Sequence, residues 1–345
     1  MKAARLDRFG GPESLVYGEL PDPAPGPGEA LVRVRACALN HLDVWVREGN
    51  PAYRIKLPHV LGNDIAGEVV AVGPGAGSGQ ASPGAAVIVS PGVSCWKCRW
   101  CRSGRDHLCE RYAILGADGG WGGYAELAVV PARNLLPAPE AMSFERAASI
   151  PLTFLTAWHM LKHLARARPE ESVLVLGAGS GVGVAAIQIA KALGARVIAA
   201  STSEEKLAAA KELGADETLH TPSESALRKT KRLTGGKGVD IVFEHVGAPL
   251  FQEAVRCLAP AGRLVTCGAT GGAKVEADLR YVFFRELQIL GAKMGPFEQL
   301  REVVGLFREG KLKPVVDRTF PLAEARQAHE YLAARRQFGK VVLKV

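Results

Sequence analysis

The sequence predicts an α/β fold, a doubly wound parallel sheet joined to a second, β-rich domain. Three observations carry this. Residues 172–200, SVLVLGAGSGVGVAAIQIAKALGARVIAA, read as strand, glycine turn, helix and strand. Beyond residue 153 strand-like and helix-like runs alternate, the pattern of a parallel sheet covered by helices. Before about residue 150 short strands are separated by Gly/Pro/Ser stretches instead, the pattern of a β-rich domain.

Ser172–Leu176 is a short apolar run rich in β-branched residues, as a buried strand requires. Gly177, Gly179, Gly181 and Gly183 follow at every second position. Val184–Leu193 is apolar almost all round, as in a buried helix, and Gly194 stands where a helix stops. Arg196–Ala200 is the second strand. This unit suits a dinucleotide: glycines let the backbone approach a pyrophosphate, and the helix N-terminus offers it unpaired N–H groups. Further on, Glu204–Leu213 reads as a helix capped from Ser201-Thr202-Ser203, Asp240–Phe243 as a strand, and Leu250–Leu258 as a helix. Gly262–Gly268 and Leu287–Ala292 read as the last strands of this sheet. Thr153–Ala165 reads as the helix that opens the domain. In the first domain Ala30–Ala38, Ala66–Val72 and Ala85–Val89 are strands, GPGAGSGQASPG (73–84) is a loop, and Asn40–Glu48 is a short helix ended by Gly49. After Gly295 two amphipathic helices, Glu298–Glu309 and Leu322–Ala334, precede a final strand, Lys340–Val345. The expected domains are therefore 1–152 with 296–345, and 153–295.

A chain of 345 residues suits two domains, and 48% hydrophobic with 23% charged residues suits a soluble globular protein. The first fifteen residues lack a signal-peptide core, and no run has the apolar length of a membrane span, so a cytoplasmic location is expected. The net charge of +8 is spread along the chain, with modest clusters at 97–111 and 228–237 and without interleaved aromatics, which argues against nucleic acid as a main partner. An odd total of seven cysteines argues against a disulfide framework.

Four of those cysteines, Cys95, Cys98, Cys101 and Cys109, follow the pattern Cys-x2-Cys-x2-Cys-x7-Cys. Four thiolates can close a tetrahedral shell around one Zn²⁺ and leave no open position, so a structural role is expected, with one zinc per chain. Lys97, Arg99, Arg102 and Arg105 lie among them to balance the charge. An iron–sulfur cluster and a reduced, metal-free loop are the alternatives.

These motifs together resemble the medium-chain dehydrogenase/reductase superfamily, which includes zinc alcohol dehydrogenases and quinone oxidoreductases. The resemblance spans essentially the whole chain. It rests on LPHVLGNDIAGEVVAVG (57–73), the cysteine loop, PLTFLTAW (151–158), the glycine unit and the terminal GKVVLKV. It implies a Rossmann domain plus a GroES-like catalytic domain, and an NAD(P)-dependent oxidoreductase. The chain departs from the zinc alcohol dehydrogenases where their catalytic ligands lie. Their Cys-His-Thr/Ser-Asp is here Asn40-His41-Leu42-Asp43, their Gly-His-Glu is Gly62-Asn63-Asp64, and the third ligand falls at or next to Leu152. A replacement site from His41, Asp43, His59 or Asp64 is the alternative. Without a catalytic zinc, an activated carbonyl, enone or quinone is the expected substrate, because hydride then adds to an already electron-poor carbon. An alcohol dehydrogenase with altered ligands is the enzymatic rival, and a non-catalytic dinucleotide sensor or nucleic-acid-associated protein is the rival of another class.

By the same resemblance, Asn40 lies near the nicotinamide and is expected to donate to a substrate oxygen, His41 contacts a cofactor phosphate, and Asp43 orients the site. Asn63 and Asp64 face the same pocket, Tyr53 lines it, and Thr156 begins a helix near the cofactor. Each has a plainer reading as a turn former, surface group or helix cap. Gly177, Gly179, Ser180, Gly181, Val182 and Gly183 form the pyrophosphate loop. The second strand ends at Ser201-Thr202-Ser203 rather than at a carboxylate, with Lys206 one turn on, which favours NADP and leaves NAD open; Glu204 and Glu205 complicate this. An apolar edge strand at Leu287–Ala292 predicts a homodimer or homotetramer.

Overall fold

The computed structural model describes residues 1–76 and 82–345; the 77–81 portion of the expected 73–84 loop lies outside them. The chain forms two compact units, Met1–Leu152 with Pro296–Val345, and Thr153–Gly295.

The second unit holds a six-stranded sheet in the order Glu217–His220, Arg196–Ser201, Ser172–Val175, Val239–Glu244, Leu258–Thr266, Gln288–Gly291. Every neighbouring pair runs parallel. The central strands are buried on both faces, so their near-continuous Val/Ile/Leu character marks them in the sequence. One face packs Leu174, Ile198, Val242 and Leu264 against Phe251, Ala254 and Val255 of the helix Ala248–Cys257. The strand Glu217–His220 and the helix Ala226–Leu233 add to the elements expected from the sequence. That helix, ALRKTKRL, hides among the basic residues of 228–237; Ser225 caps it by accepting from Arg228 N–H.

The first unit centres on a mostly antiparallel sheet in the order Leu135–Pro137, Ala86–Val89, Asp64–Val72, Glu29–Ala38, Lys340–Lys344, Val316–Pro321, with Leu127–Pro131 also paired to Glu29–Ala38. The C-terminal strand thus lies beside the third strand of the chain, with Val342 opposite Ala38. On its other edge Ala38 faces Asp64. Buried Val32, Val34, Ile65, Val69, Val87 and Leu343 fill this core.

Two expectations need correction. Thr156 does not begin a helix: it lies inside Pro151–Trp158, 4% exposed, because the helix starts at the proline, which suits a first turn. The expected single helix 153–165 also changes character, continuing as a π-helix over His159–Leu164. Among the described residues no helix is long and apolar enough to cross a membrane.

Candidate active site

The sheet register assembles the polar cluster of the first unit. Ala38 between Val342 and Asp64 brings the residue after the strand, Asn40, beside the start of the C-terminal strand, Lys340. Lys340 Nζ donates to Asn40 Oδ1 at 2.6 Å and to Asp64 Oδ2 at 2.9 Å. Asn40 Nδ2 donates to Asn63 Oδ1 at 2.6 Å and to Asp64 Oδ2 at 2.8 Å. The second Asp64 oxygen accepts from Leu152 N–H at 2.8 Å. Asp43, in the first turn of the helix His41–Arg47, accepts from Asn40 N–H at 2.7 Å, Gly62 N–H at 3.1 Å and Asn63 Nδ2 at 3.2 Å. All five side chains are buried.

This geometry changes what Asn40 can do. Both of its amide N–H groups are engaged by protein acceptors, so in this arrangement it has none to give a substrate oxygen. Burial pushes the Asp43 carboxyl up to about 7, against the pull of the Asn40 and Gly62 amides and of Lys340. Lys340 is the member that sequence reasoning missed. Its one signal was its place in the terminal GKVVLKV, where a lysine at a strand start reads as surface.

The donor set does not fit a catalytic zinc ion. The positions where relatives place thiolate or imidazole hold two amides and a leucine, and both amides are tied into the cluster. The alternative site is not assembled either. His59 Nε2 pairs with Gly116 O at 3.1 Å, and His41 packs edge-on against Trp45 with ring centroids 5.1 Å apart. Among the described residues, the four cysteines are the one group of three or more metal-ligating side chains that converges. Tyr53 makes no hydrogen bond to the cluster; its phenol is half-buried and raised by that burial and by Asp118.

Cys95, Cys98, Cys101 and Cys109 bring their Sγ atoms within 4.8 Å of one another, a set that fits a closed tetrahedral Zn²⁺. Backbone N–H groups of Cys95 and Arg111 both point at Cys109 Sγ, at 3.3 Å. Backbone amides of Lys97 and Cys98 draw Cys95 down to about 6, while burial and the neighbouring thiols push Cys101 to about 12. Four thiols so close need a cation before all can ionise. The loop is anchored where both Asp106 oxygens accept from Phe297 N–H, at 3.1 and 3.2 Å, and where Arg133 lies 4.2 Å over the Trp96 ring.

In the second unit the glycine turn has the geometry an anion cradle needs. Ser180 caps the helix Gly181–Ala192, its Oγ accepting from Gly183 N–H at 2.9 Å and lying 3.2 Å from His245 Nε2. Gly177 has φ +63°, and a Cβ there would stand 2.8 Å from the His245 ring; a Cβ on Gly183 would stand 2.5 Å from Gly177 O. The cradle therefore admits glycine where it must stay open, and leaves the Gly181 and Val182 amides in the helix's first turn. A Cβ on Gly179 would meet Lys206 Cδ at 2.6 Å, so the Lys206 stem crosses this loop. Ser201 Oγ accepts from Ser203 N–H at 3.2 Å, and Thr202 lends its carbonyl to His220 Nε2 at 3.2 Å. Glu204 turns to His220, 3.3 Å from Nδ1. His245, which roofs the cradle, was not foreseen, since nothing in the strand Val239–Glu244 announces it.

A glycine turn opening a helix on a parallel sheet, together with a unit that carries a four-cysteine loop and a buried polar cluster, marks an NAD(P)-dependent oxidoreductase. The family model described as "Alcohol dehydrogenase GroES-like domain" matches residues 26–140, and "Zinc-binding dehydrogenase" matches 181–309. The chain is 31% identical to a quinone oxidoreductase of Rattus norvegicus, over 99% of this chain and 97% of that protein. It is 34% identical to an NAD-dependent alcohol dehydrogenase of Sulfolobus acidocaldarius, over the whole of both. The crystal structure of an NAD-dependent alcohol dehydrogenase superposes with a TM-score of 0.96 at 49% identity, covering both chains fully. The chain belongs to the medium-chain dehydrogenase/reductase superfamily.

Proposed function

We propose that this oxidoreductase transfers hydride from NADPH to an activated carbonyl, an enone or a quinone without a metal ion at the reacting centre. The carrying observation is the Asn40–Asn63–Asp64–Lys340 cluster, in which two amides take positions where relatives that use zinc keep thiolate and imidazole, and the Lys340 ammonium is bonded into them. Bound NADPH supplies the hydride. The chain's own part is to hold the acceptor in place and to favour negative charge on its oxygen, through the Lys340 ammonium and the dipoles of the locked amides. Two of the three Lys340 N–H directions are taken by Asn40 and Asp64, so its position is held before substrate arrives.

The preference for NADP over NAD rests on Lys206 crossing the glycine loop and on Glu204 being turned to His220. A lysine with neighbouring hydroxyls favours a 2′-phosphate, whereas a carboxylate there would repel it. The four-cysteine site is a structural zinc site, one per chain. The rival reading is an alcohol dehydrogenase, the activity for which the Sulfolobus acidocaldarius relative and the superposed crystal structure are named.

Zinc per chain, measured together with NADPH and NADH oxidation over a panel of enones, quinones and aldehydes, tests the proposal. About one zinc with enone or quinone turnover supports it. A second zinc that is required for alcohol oxidation overturns it.

A homodimer paired through the edge strand Gln288–Gly291 is also proposed. Beside that strand Phe283, Phe284 and Leu279 are 60%, 77% and 69% exposed, and Ile289 is 43% exposed. A second copy would cover this surface and pair the open strand. Seven cysteines, none of them in a disulfide, suit a reducing, cytoplasmic setting.

A further inference from the structure

Behind Asp43 lies a run of buried groups outside the Asn40–Asn63–Asp64–Lys340 cluster. Arg47 Nη1 lies 3.0 Å from His329 Nδ1, and His329 Nε2 lies 3.1 Å from the Tyr124 hydroxyl. Tyr124 and Asp43 meet across Gly62: a Cβ there would stand 2.4 Å from the Tyr124 ring, and its N–H donates to Asp43 Oδ1 at 3.1 Å, which sets the phenol beside that carboxyl. Arg47, His329, Tyr124 and Asp43 are 2%, 0%, 0% and 0% exposed. Arg47 is completed by Gly10 O at 3.0 Å and Glu48 Oε1 at 2.8 Å, the latter at the surface.

The direction of the chain follows from its end. A guanidinium only donates, so His329 Nδ1 must accept and the imidazole is neutral, with its proton on Nε2. Nε2–H then donates to the Tyr124 oxygen, and the phenol proton is left to donate to Asp43. Burial and Arg47 together push His329 down to about 3, and burial holds Tyr124 well above its ordinary range, so both stay neutral. Lys340 then pairs with Asp64 directly, while Arg47, paired with Glu48 at its outer end, also faces Asp43 through two neutral dipoles. The packing holds this order. Gly62 at φ +98° leaves room for the Tyr124 ring, which a Cβ would meet at 2.4 Å.

We propose that Tyr124 and His329 are positioning residues that relay the Arg47 charge toward Asp43, favour the carboxylate form of that side chain, and so fix the Asn40–Asn63 amide pair of the reacting centre. Their catalytic consequence rests on the function proposed above; their effect on Asp43 does not. The charged and titratable groups facing Asp43 are Lys340, Asp64, Cys37 and Tyr124, with Arg47 behind His329.

The test compares the intact protein with Tyr124→Phe, which keeps the ring and removes the donor, and His329→Gln, whose amide can accept from Arg47 and donate to Tyr124. The Asp43 carboxyl is titrated by carbon-13 NMR, assigned with Asp43→Asn, and the acid limb of kcat/KM is followed beside it. In Tyr124→Phe the Asp43 midpoint is expected to rise by about one unit, with the acid limb moving by the same amount, while His329→Gln stays near the parent. The NMR titration needs no substrate, so it reports even if the proposed reaction fails. An unmoved midpoint in folded, zinc-loaded Tyr124→Phe would overturn the proposal.

Discussion

Lys340 Nζ lies 2.9 Å from Asp64 Oδ2, with the two side chains 4% and 0% exposed. They are joined by Asn40, which accepts from the ammonium and donates to the carboxylate. A buried pair so held is costly to break, since removing one partner strands the other's charge.

Lys340→Met therefore leaves Asp64 unpaired. Unfolding in urea should show a loss of about 3–5 kcal/mol, and kcat/KM should fall with it. Asp64→Asn with Lys340→Met should recover part of that stability. A double variant no more stable than Lys340→Met would show that the pair is not the source of the loss.

The pH dependence of stability carries the Asp43 signature. Folding raises this carboxyl from 3.8 to about 7. Between those values the folded chain keeps a proton that the unfolded chain has released. Stability from this group therefore falls as pH rises through that window, and is level above it. Asp43→Asn should remove that part of the slope, read as the difference between the two chains' urea midpoints across the pH range.

The cysteine loop predicts one chelatable zinc. Cys98→Ser or exhaustive chelation should remove the metal and lower the melting temperature, since metal and loop fold together. Nucleotide binding, measured by fluorescence, should be little changed, because the cradle lies in the other unit. Unaltered melting after complete zinc loss would count against a structural role.

Coenzyme choice should respond to Lys206. Lys206→Ala should weaken NADPH binding about tenfold, the ~1.4 kcal/mol of one charge-assisted contact, and leave NADH nearly unchanged. Equal weakening of both would place the lysine on a phosphate the two share.

The exposed Phe283–Phe284 pair, with ring centroids 4.5 Å apart, should be covered in solution. Light scattering should report a dimer or larger for the parent chain and a shift toward monomer for Phe284→Asp. A monomeric parent at micromolar concentration would refute the edge-strand interface.

Much of this was legible in one dimension. The glycine turn is readable because each glycine meets a local steric demand, as at Gly177 and Gly183. The four cysteines are readable because their ligand spacing fits within one short loop. Boundaries were less secure: the strand expected at 262–268 runs Leu258–Thr266, and the helix expected from 184 starts at Gly181. Thr156 was misplaced because hydroxyl residues look alike at a cap and inside a turn.

What the sequence alone determined is what depends on neighbours along the chain: the α/β class, the strand–glycine turn–helix unit and the converging four-cysteine loop. What only the tertiary structure decided is which distant groups share a buried space. Lys340 and Asp64 are 276 residues apart and His329 and Tyr124 205 apart, and no local pattern links either pair. They meet because Ala38 pairs with Val342 on one side and Asp64 on the other. Once buried there, polar groups must satisfy one another, and that demand turned an asparagine read as a substrate donor into a fixed strut.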